Sequence, residues 1–377
     1  MLNTIIIISL LLLIHYSYFL IKVSAGLRKL RTYGNGNHPE FFVSIIIPFR
    51  NESGNILKNL ASIEAQNYPE ERYEVLYVND FSDDDSLEKI TNIKKSDNIK
   101  ILDVPVNFSL NAHKKRAIRY GIENSKGDII ITTDADCEYD KEWLSTIISL
   151  FDEQTGFVSG PVKFKENGSV FGKLQKLEFA GLVLTGAGLI GSDSPTICNA
   201  ANIAYRRNAF KQVNGFTDQM NLSSGDDELL MQKIFKKTGL KIKFCWDQKA
   251  VVTTDPNNSF QQFYQQRKRW ASKGLFYADK LLILKLILIF LFYLSVPLQF
   301  IFTFTWSSLF IYTLCVSLSV KYLFEYLIIQ KGKNFLISLS EMKFFALAEV
   351  MHIPYIIVAG ISGLFGNYTW KQRKVRR

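Results

Sequence analysis

Cysteine and histidine are scarce in this chain, with four of each among 377 residues. Cys137, Cys198, Cys245 and Cys315 lie far apart and show no CxxC or Cys/His ligand spacing. They signal neither a zinc site nor a disulfide framework, and they fit a reducing compartment. A nucleic-acid-binding motif is also missing, as is any interleaving of aromatic and basic residues on one surface, so the net charge of +10 does not describe a nucleic-acid face. Formal charge is absent from residues 2–21, and residues 281–365 are dominated by Leu, Ile, Phe and Val. The bases gather where such apolar runs meet polar sequence: Lys22, Arg28, Lys29 and Arg31, then Arg267, Lys268 and Arg269, then Lys371 through Arg377.

What is present is apolar weight at the two ends, within a composition that is 47% hydrophobic and 14% aromatic. Residues 2–21 are long enough at about 1.5 Å per residue to cross a hydrocarbon core about 30 Å thick. Val23-Ser24-Ala25 resembles a signal-peptide cleavage site, but no basic region precedes the apolar run and bases follow it. Residues 1–22 therefore read as an anchor, its C-terminal flank in the cytosol by the positive-inside rule, with 23–40 as a linker. Leu286–Phe304, Trp306–Ile329 and Phe344–Phe365 are three further candidate crossings within a C-terminal membrane region, 281–377. Three full crossings would place the basic tail outside, so one of them is expected to be interfacial or re-entrant. Lys321 and Glu325 weaken the second, and Glu349, His352 and Pro354 interrupt the third. The sequence leaves the choice open.

Between these ends, over 41–258, strand-like runs alternate with helical spacing: Val43–Phe49, Tyr73–Val78, Ile99–Val104 and Asp128–Thr133. Alternation of this kind predicts βαβ units, and the continuous β-branched runs predict parallel strands covered on both faces. The expected fold is α/β, an open, mostly parallel sheet with helices on both faces, flanked by transmembrane helices. In such sheets ligands bind beyond the C-terminal strand ends.

Those ends are acidic. Asn79, Asp80, Asp83, Asp84 and Asp85 follow one strand, and Asp134-Ala135-Asp136 follows another. Two carboxylates one residue apart repel unless a cation or donor offsets them. Oxygen-only ligation points to a hard ion, Mg²⁺ or Mn²⁺, completed by substrate phosphates. A solvated turn with a helix N-cap explains the same triplet. A third cluster, Ser223-Ser224-Gly225-Asp226-Asp227-Glu228, precedes apolar residues at helical spacing. It reads either as an ordinary N-cap or as the seat of a general base, Asp227. Residues 259–280 carry Gln266-Arg267-Lys268-Arg269-Trp270 on an amphipathic interface helix. That segment can serve as a headgroup-depth anchor and as a clamp on diphosphate and acceptor at once.

Taken in order, these elements resemble the family 2 inverting glycosyltransferases, the group that includes cellulose, chitin and hyaluronan synthases and ceramide glucosyltransferase. The residues that carry the resemblance are Val43 to Pro48 with Arg50-Asn51-Glu52, Val78-Asn79-Asp80, Lys114 in His113-Lys114-Lys115-Arg116-Ala117, Asp134-Ala135-Asp136, Asn199-Ala200-Ala201-Asn202, Gly225-Asp226-Asp227, and Gln266 to Trp270. The resemblance implies a GT-A fold and a nucleotide-sugar donor, by a leaning a uridine one. It places Pro48, Glu52, Asp80 and Lys114 at the donor nucleotide, with Asp134 and Asp136 holding the diphosphate through the metal. Asp227 would be the catalytic base, and Gln266, Arg269 and Trp270 would close over diphosphate and acceptor. Asn79 stands where the family often has Asp, and His113 where a Gly is usual. Gly225-Asp226-Asp227 replaces the synthases' Thr-Glu-Asp, which makes long-chain polymerisation a weaker expectation. The acceptor is expected to be a lipid-linked or glycan hydroxyl at the cytosolic membrane face. Rival readings are a processive polysaccharide synthase, a nucleotidyltransferase, and a membrane cation-binding receptor or transport subunit; no nucleic-acid partner is expected.

Overall fold

The computed structural model describes residues 2–31, 41–93, 95–108, 113–217, 225–364, 368–370 and 373–375. Ser223, Ser224, linker residues 32–40 and tail residues Lys371, Arg376 and Arg377 lie outside these. The chain opens with α1 (Leu2–Lys29), then β1 (Val43–Phe49), α2 (Ile56–Glu64), β2 (Tyr73–Asn79), α3 (Ser86–Asn92), β3 (Ile99–Asp103), α4 (His113–Glu123), β4 (Ile129–Thr132) and α5 (Trp143–Ile148). The expected linker is thus helical as far as Lys29. Next come β5 (Thr155–Ser159), β6 (Val162–Phe164), α6 (Val170–Gly191), β7 (Ile203–Arg206), α7 (Arg207–Gln212), α8 (Glu228–Thr238), β8 (Lys241–Phe244), β9 (Val252–Thr254) and α9 (Phe260–Ala271). The chain continues with α10 (Lys280–Thr305), α11 (Phe310–Lys331), α12 (Leu339–Met342), α13 (Phe345–Leu364), β10 (Tyr368–Trp370) and β11 (Arg373–Val375).

A seven-stranded sheet in the order β3-β2-β1-β4-β7-β5-β8 forms the centre. β3, β2, β1 and β4 are mutually parallel, as are β5 and β8, and only β7 runs antiparallel to its neighbours β4 and β5. β1, β2 and β4 are buried at every residue, as their unbroken apolar runs require when helices cover both faces. The strand order reverses direction at β1 and β4, so a crevice opens beyond their C-terminal ends. A small parallel pair, β6 and β9, extends that edge.

Among the described residues, four helices, α1, α10, α11 and α13, are long and apolar enough to cross a membrane. Charges that interrupt the C-terminal runs in sequence meet in space. Lys321 lies 3.0 Å from Glu325 and pairs with Glu349, Glu325 accepts from Tyr16 at 2.5 Å, and His352 Nδ1 lies 3.4 Å from Glu325. Tyr293 of α10 completes a polar seam to which each of the four helices contributes. α6 joins this bundle to the sheet. Its crossing with α1 is so close that a Cβ on Gly188 would stand 2.4 Å from the Val23 carbonyl, so glycine is required there.

Candidate active site

The turn after β4 is held by groups behind it. Asn59 donates its amide to the carbonyls of Asp134 (3.2 Å) and Cys137 (2.7 Å), and Tyr77 donates to Asn59 Oδ1 at 2.7 Å. Thr133 donates to the Ala201 carbonyl at 2.7 Å. Both carboxylates of Asp134-Ala135-Asp136 therefore sit on a fixed turn facing the crevice. No helix begins within this triplet, so it is not an N-cap.

Lys114, in the first turn of α4, faces the same crevice. Its ammonium is 2.5 Å from Asp134 Oδ1 and 3.5 Å from Asp226 Oδ2. Burial works against its charge, but Asp134 and then Asp226 outweigh that and hold the ammonium above the usual lysine range. Burial pushes the Asp226 carboxyl up, while Lys114 and then Lys115 overcome it, so its value is lowered overall.

Asp227 occupies the position before α8, yet its side chain makes no capping bond. Its Oδ1 is buried without a hydrogen-bond partner, and the nearest ion pair is Lys273 Nζ at 3.5 Å. A capping carboxylate would be bonded to the helix amides, so the N-cap reading of Asp227 is not the geometry found. Glu228 behind it is bonded to Lys273 at 3.1 Å and accepts from Tyr277 at 2.6 Å. Burial raises Glu228, whereas Lys273 is raised because Asp227 and Glu228 outweigh its own burial.

These groups line one cavity of about 440 Å³. Lys114, Asp134, Asp136, Asp227, Gln266, Arg269 and Trp270, all singled out in the sequence, border it together. Pro48, Glu52 and Asp80 do not border it. They lie at or just past the C-terminal ends of β1 and β2. Asp80 is engaged by Arg116, whose Nε stands 3.2 Å from Oδ1 and whose guanidinium packs 4.7 Å from the Phe81 ring centre. Glu52 accepts from Asn55 at 3.1 Å. Asn79 donates to Asp103 at 2.7 Å, which gives it a structural task. Asn202 likewise acts as a staple, donating to the carbonyls of Pro161 and Ala250 at 2.9 and 2.8 Å. Glu178, Lys273 and Tyr277 are not singled out by the sequence, and Arg116 and Arg267 enter it only as members of their motifs, without roles of their own. Lys273 follows Arg269 by one helical turn, a spacing that could have drawn attention to it.

The donor set fits a hard divalent ion. Asp134 and Asp136 offer only oxygen, and Asp226 Oδ2 and Asp227 Oδ1, which accept no hydrogen bond and meet lysines only at 3.5 Å, leave buried negative potential that the lysines balance only in part. The cavity's other side is apolar: Phe179 and Val183 of α6, Phe290 of α10, and Ile356 and Ala359 of α13.

Residues 44–213 match glycosyl transferase family 2, and residues 129–360 match glycosyl transferase family group 2. The chain is 26% identical over 262 residues to a poly-beta-1,6-N-acetyl-D-glucosamine synthase of Staphylococcus epidermidis, which covers 68% of this chain and 60% of the relative. It is also 26% identical over 245 residues to the Staphylococcus aureus protein of that name, covering 62% of this chain and 54% of the relative. It thus spans less than two thirds of the length of these relatives. A mannosyltransferase from Pyrobaculum calidifontis, solved with GDP-Man and Mn²⁺, has the same fold, with a TM-score of 0.61 and 17% identity over 96% of this chain and 99% of that one. With the second match covering more than half of its length, the chain belongs to glycosyl transferase family group 2.

Proposed function

We propose that this chain transfers a sugar from a nucleotide-sugar donor to the hydroxyl of a lipid-linked acceptor in one inverting displacement. The observation that carries the proposal is that Lys114, Asp134, Asp136, Asp227, Gln266, Arg269 and Trp270, drawn from four separate stretches, border one cavity. Asp227 takes the proton from the acceptor oxygen, which forms the new bond to the anomeric carbon as the bond to the nucleoside diphosphate breaks. Lys114 and Arg269 hold the diphosphate, and Trp270 offers a flat face to a sugar ring. Asp134 and Asp136 would hold Mg²⁺ or Mn²⁺, which supplies positive charge for the departing diphosphate. The Mn²⁺ named with the Pyrobaculum mannosyltransferase supports that choice of ion.

The apolar wall, built partly from helices long enough to span a bilayer, favours an acceptor with a hydrocarbon portion. The relatives' name favours a second reading, a polymer of N-acetylglucosamine. Incubating the purified protein in lipid vesicles with a panel of labelled nucleotide sugars and Mn²⁺ tests both. Label in the lipid extract supports the proposal, long polymer made from donor alone supports the second reading, and no release of nucleoside diphosphate in any arm sinks both.

The catalytic domain faces the cytosol in this reading, and α13 lies along the membrane surface. The packing of α13 along α9, the helix read as interfacial, supports this reading. Against α9 the steps match: Phe263 meets Tyr355 and Ala271 meets Gly363, eight residues on in both helices. The basic tail then stays on the cytosolic side, in accord with the positive-inside rule. A cysteine introduced at Arg377 should be modified by a membrane-impermeant thiol reagent only in inside-out vesicles; modification in right-side-out vesicles alone refutes this topology.

A further inference from the structure

Arg267 is the second residue of the Gln266–Trp270 segment and is only 2% exposed. A buried guanidinium is costly unless its fork is filled. Here it is filled by Glu178 of α6, with Nε 3.1 Å from Oε1 and a second nitrogen on Oε2. Glu178 also accepts the Tyr355 hydroxyl of α13 at 2.9 Å. The flat faces of the guanidinium are covered as well. The Phe263 ring centre lies 4.4 Å away and the Trp270 ring centre 4.3 Å away, both on the same helix as Arg267.

We propose that Arg267, Glu178 and Tyr355 form a latch that joins three helices and fixes the Trp270 ring over the cavity, making all three positioning residues for sugar transfer. The proposal rests on the glycosyltransferase reading above. Trp270 has two supports, the Arg267 guanidinium and the Phe179 ring, whose centre lies 6.1 Å away. When Arg267 loses its fork, it no longer holds the indole plane, and the seal against water loosens. Water then competes with the acceptor hydroxyl for the anomeric carbon, while the donor's own contacts, Lys114 and the carboxylate turn, are untouched. The product in that case is free sugar plus nucleoside diphosphate, so the signature is a shift from transfer to hydrolysis.

Glu178 does not border the cavity, which makes Glu178→Gln the informative variant. It keeps shape and removes the charge that holds Arg267. Tyr355→Phe keeps the ring and removes one hydroxyl. In both, the ratio of donor hydrolysis to sugar transfer should rise about tenfold, on the scale of one lost charge-assisted hydrogen bond, with the donor KM unchanged. In a Trp270→Phe background, the same changes should add little. If Arg267 served instead by binding diphosphate, freeing it from Glu178 would lower the donor KM and leave the ratio alone, which overturns the latch. A wild-type ratio in both variants overturns it too. A wild-type protein that cleaves no nucleotide sugar defeats the underlying functional reading rather than the latch, so the two failures are told apart by the first control.

Discussion

Replacing Lys273 by methionine removes the cation that stands against two neighbouring buried carboxylates. Its ammonium is 3.1 Å from Glu228 Oε2 and 3.5 Å from Asp227 Oδ1. At an effective dielectric of about 20, each such contact is a gross attraction of about 5 kcal/mol. Desolvation of the lysine offsets much of this, and breaking a buried pair typically costs about 3–5 kcal/mol because the orphaned charge stays behind. Tyr277 still donates to Glu228 in the variant, so the loss should not exceed that range. For a chain of 377 residues, the melting temperature should fall by about 4–6 °C. Thermal unfolding in lipid nanodiscs reads this directly, and Lys273→Met combined with Glu228→Gln should recover part of the loss. A fall below about 2 °C would mean that water screens the group like a surface pair, and the buried-clamp account of Asp227 and Glu228 would be wrong.

Three further outcomes follow from the same geometry. Burial lowers Lys115 to about 8, against the pull of Asp226 and Asp227. Between about pH 8 and the ordinary lysine value of about 10.4 the unfolded chain holds a proton that the folded one has lost. Stability should therefore climb with pH across that window, and Lys115→Met should abolish the climb in denaturation measured at stepped pH. Lys114 and Lys273, both raised, act with the opposite sign. Their contribution is complete below about pH 10.4 and is lost as pH rises through their folded values, so wild-type stability should turn down on the alkaline side. Gly188→Val forces a side chain against the Val23 carbonyl and should cost about 1–3 kcal/mol, seen as a lower melting temperature and faster proteolysis between α1 and the sheet.

Much of this was legible in the chain itself. The unbroken runs of β1 and β4 and the acids that follow them gave the sheet and the rim of the site, because a buried parallel strand leaves few choices of residue. α6 was not legible. It is covered by the sheet domain on one side and by α1 and α11 on the other, so no polar face remains to give it a helical period. β7 is four residues long and pairs antiparallel with strands remote in sequence, which no local pattern announces. The polar seam of Lys321, Glu325, Glu349 and His352 looked like defects in membrane spans. Its meaning is cooperative, since each charge finds its partner on another turn or helix. The partners of Asp227 and Glu228 were not legible because Lys273, which meets both, and Tyr277, which bonds Glu228, lie beyond Gln266–Trp270, and only folding brings them back to α8.

Asp227→Asn is the most direct test of the central claim, that a carboxylate held beside the Asp134 turn removes the acceptor proton. Donor binding in the presence of Mn²⁺ and the rate of sugar transfer should be measured on the same preparation. The account predicts binding within about threefold of wild type and transfer reduced by about 10² or more, the usual scale for loss of a general base. Transfer at the wild-type rate, or a loss of donor binding as large as the loss of rate, would contradict it.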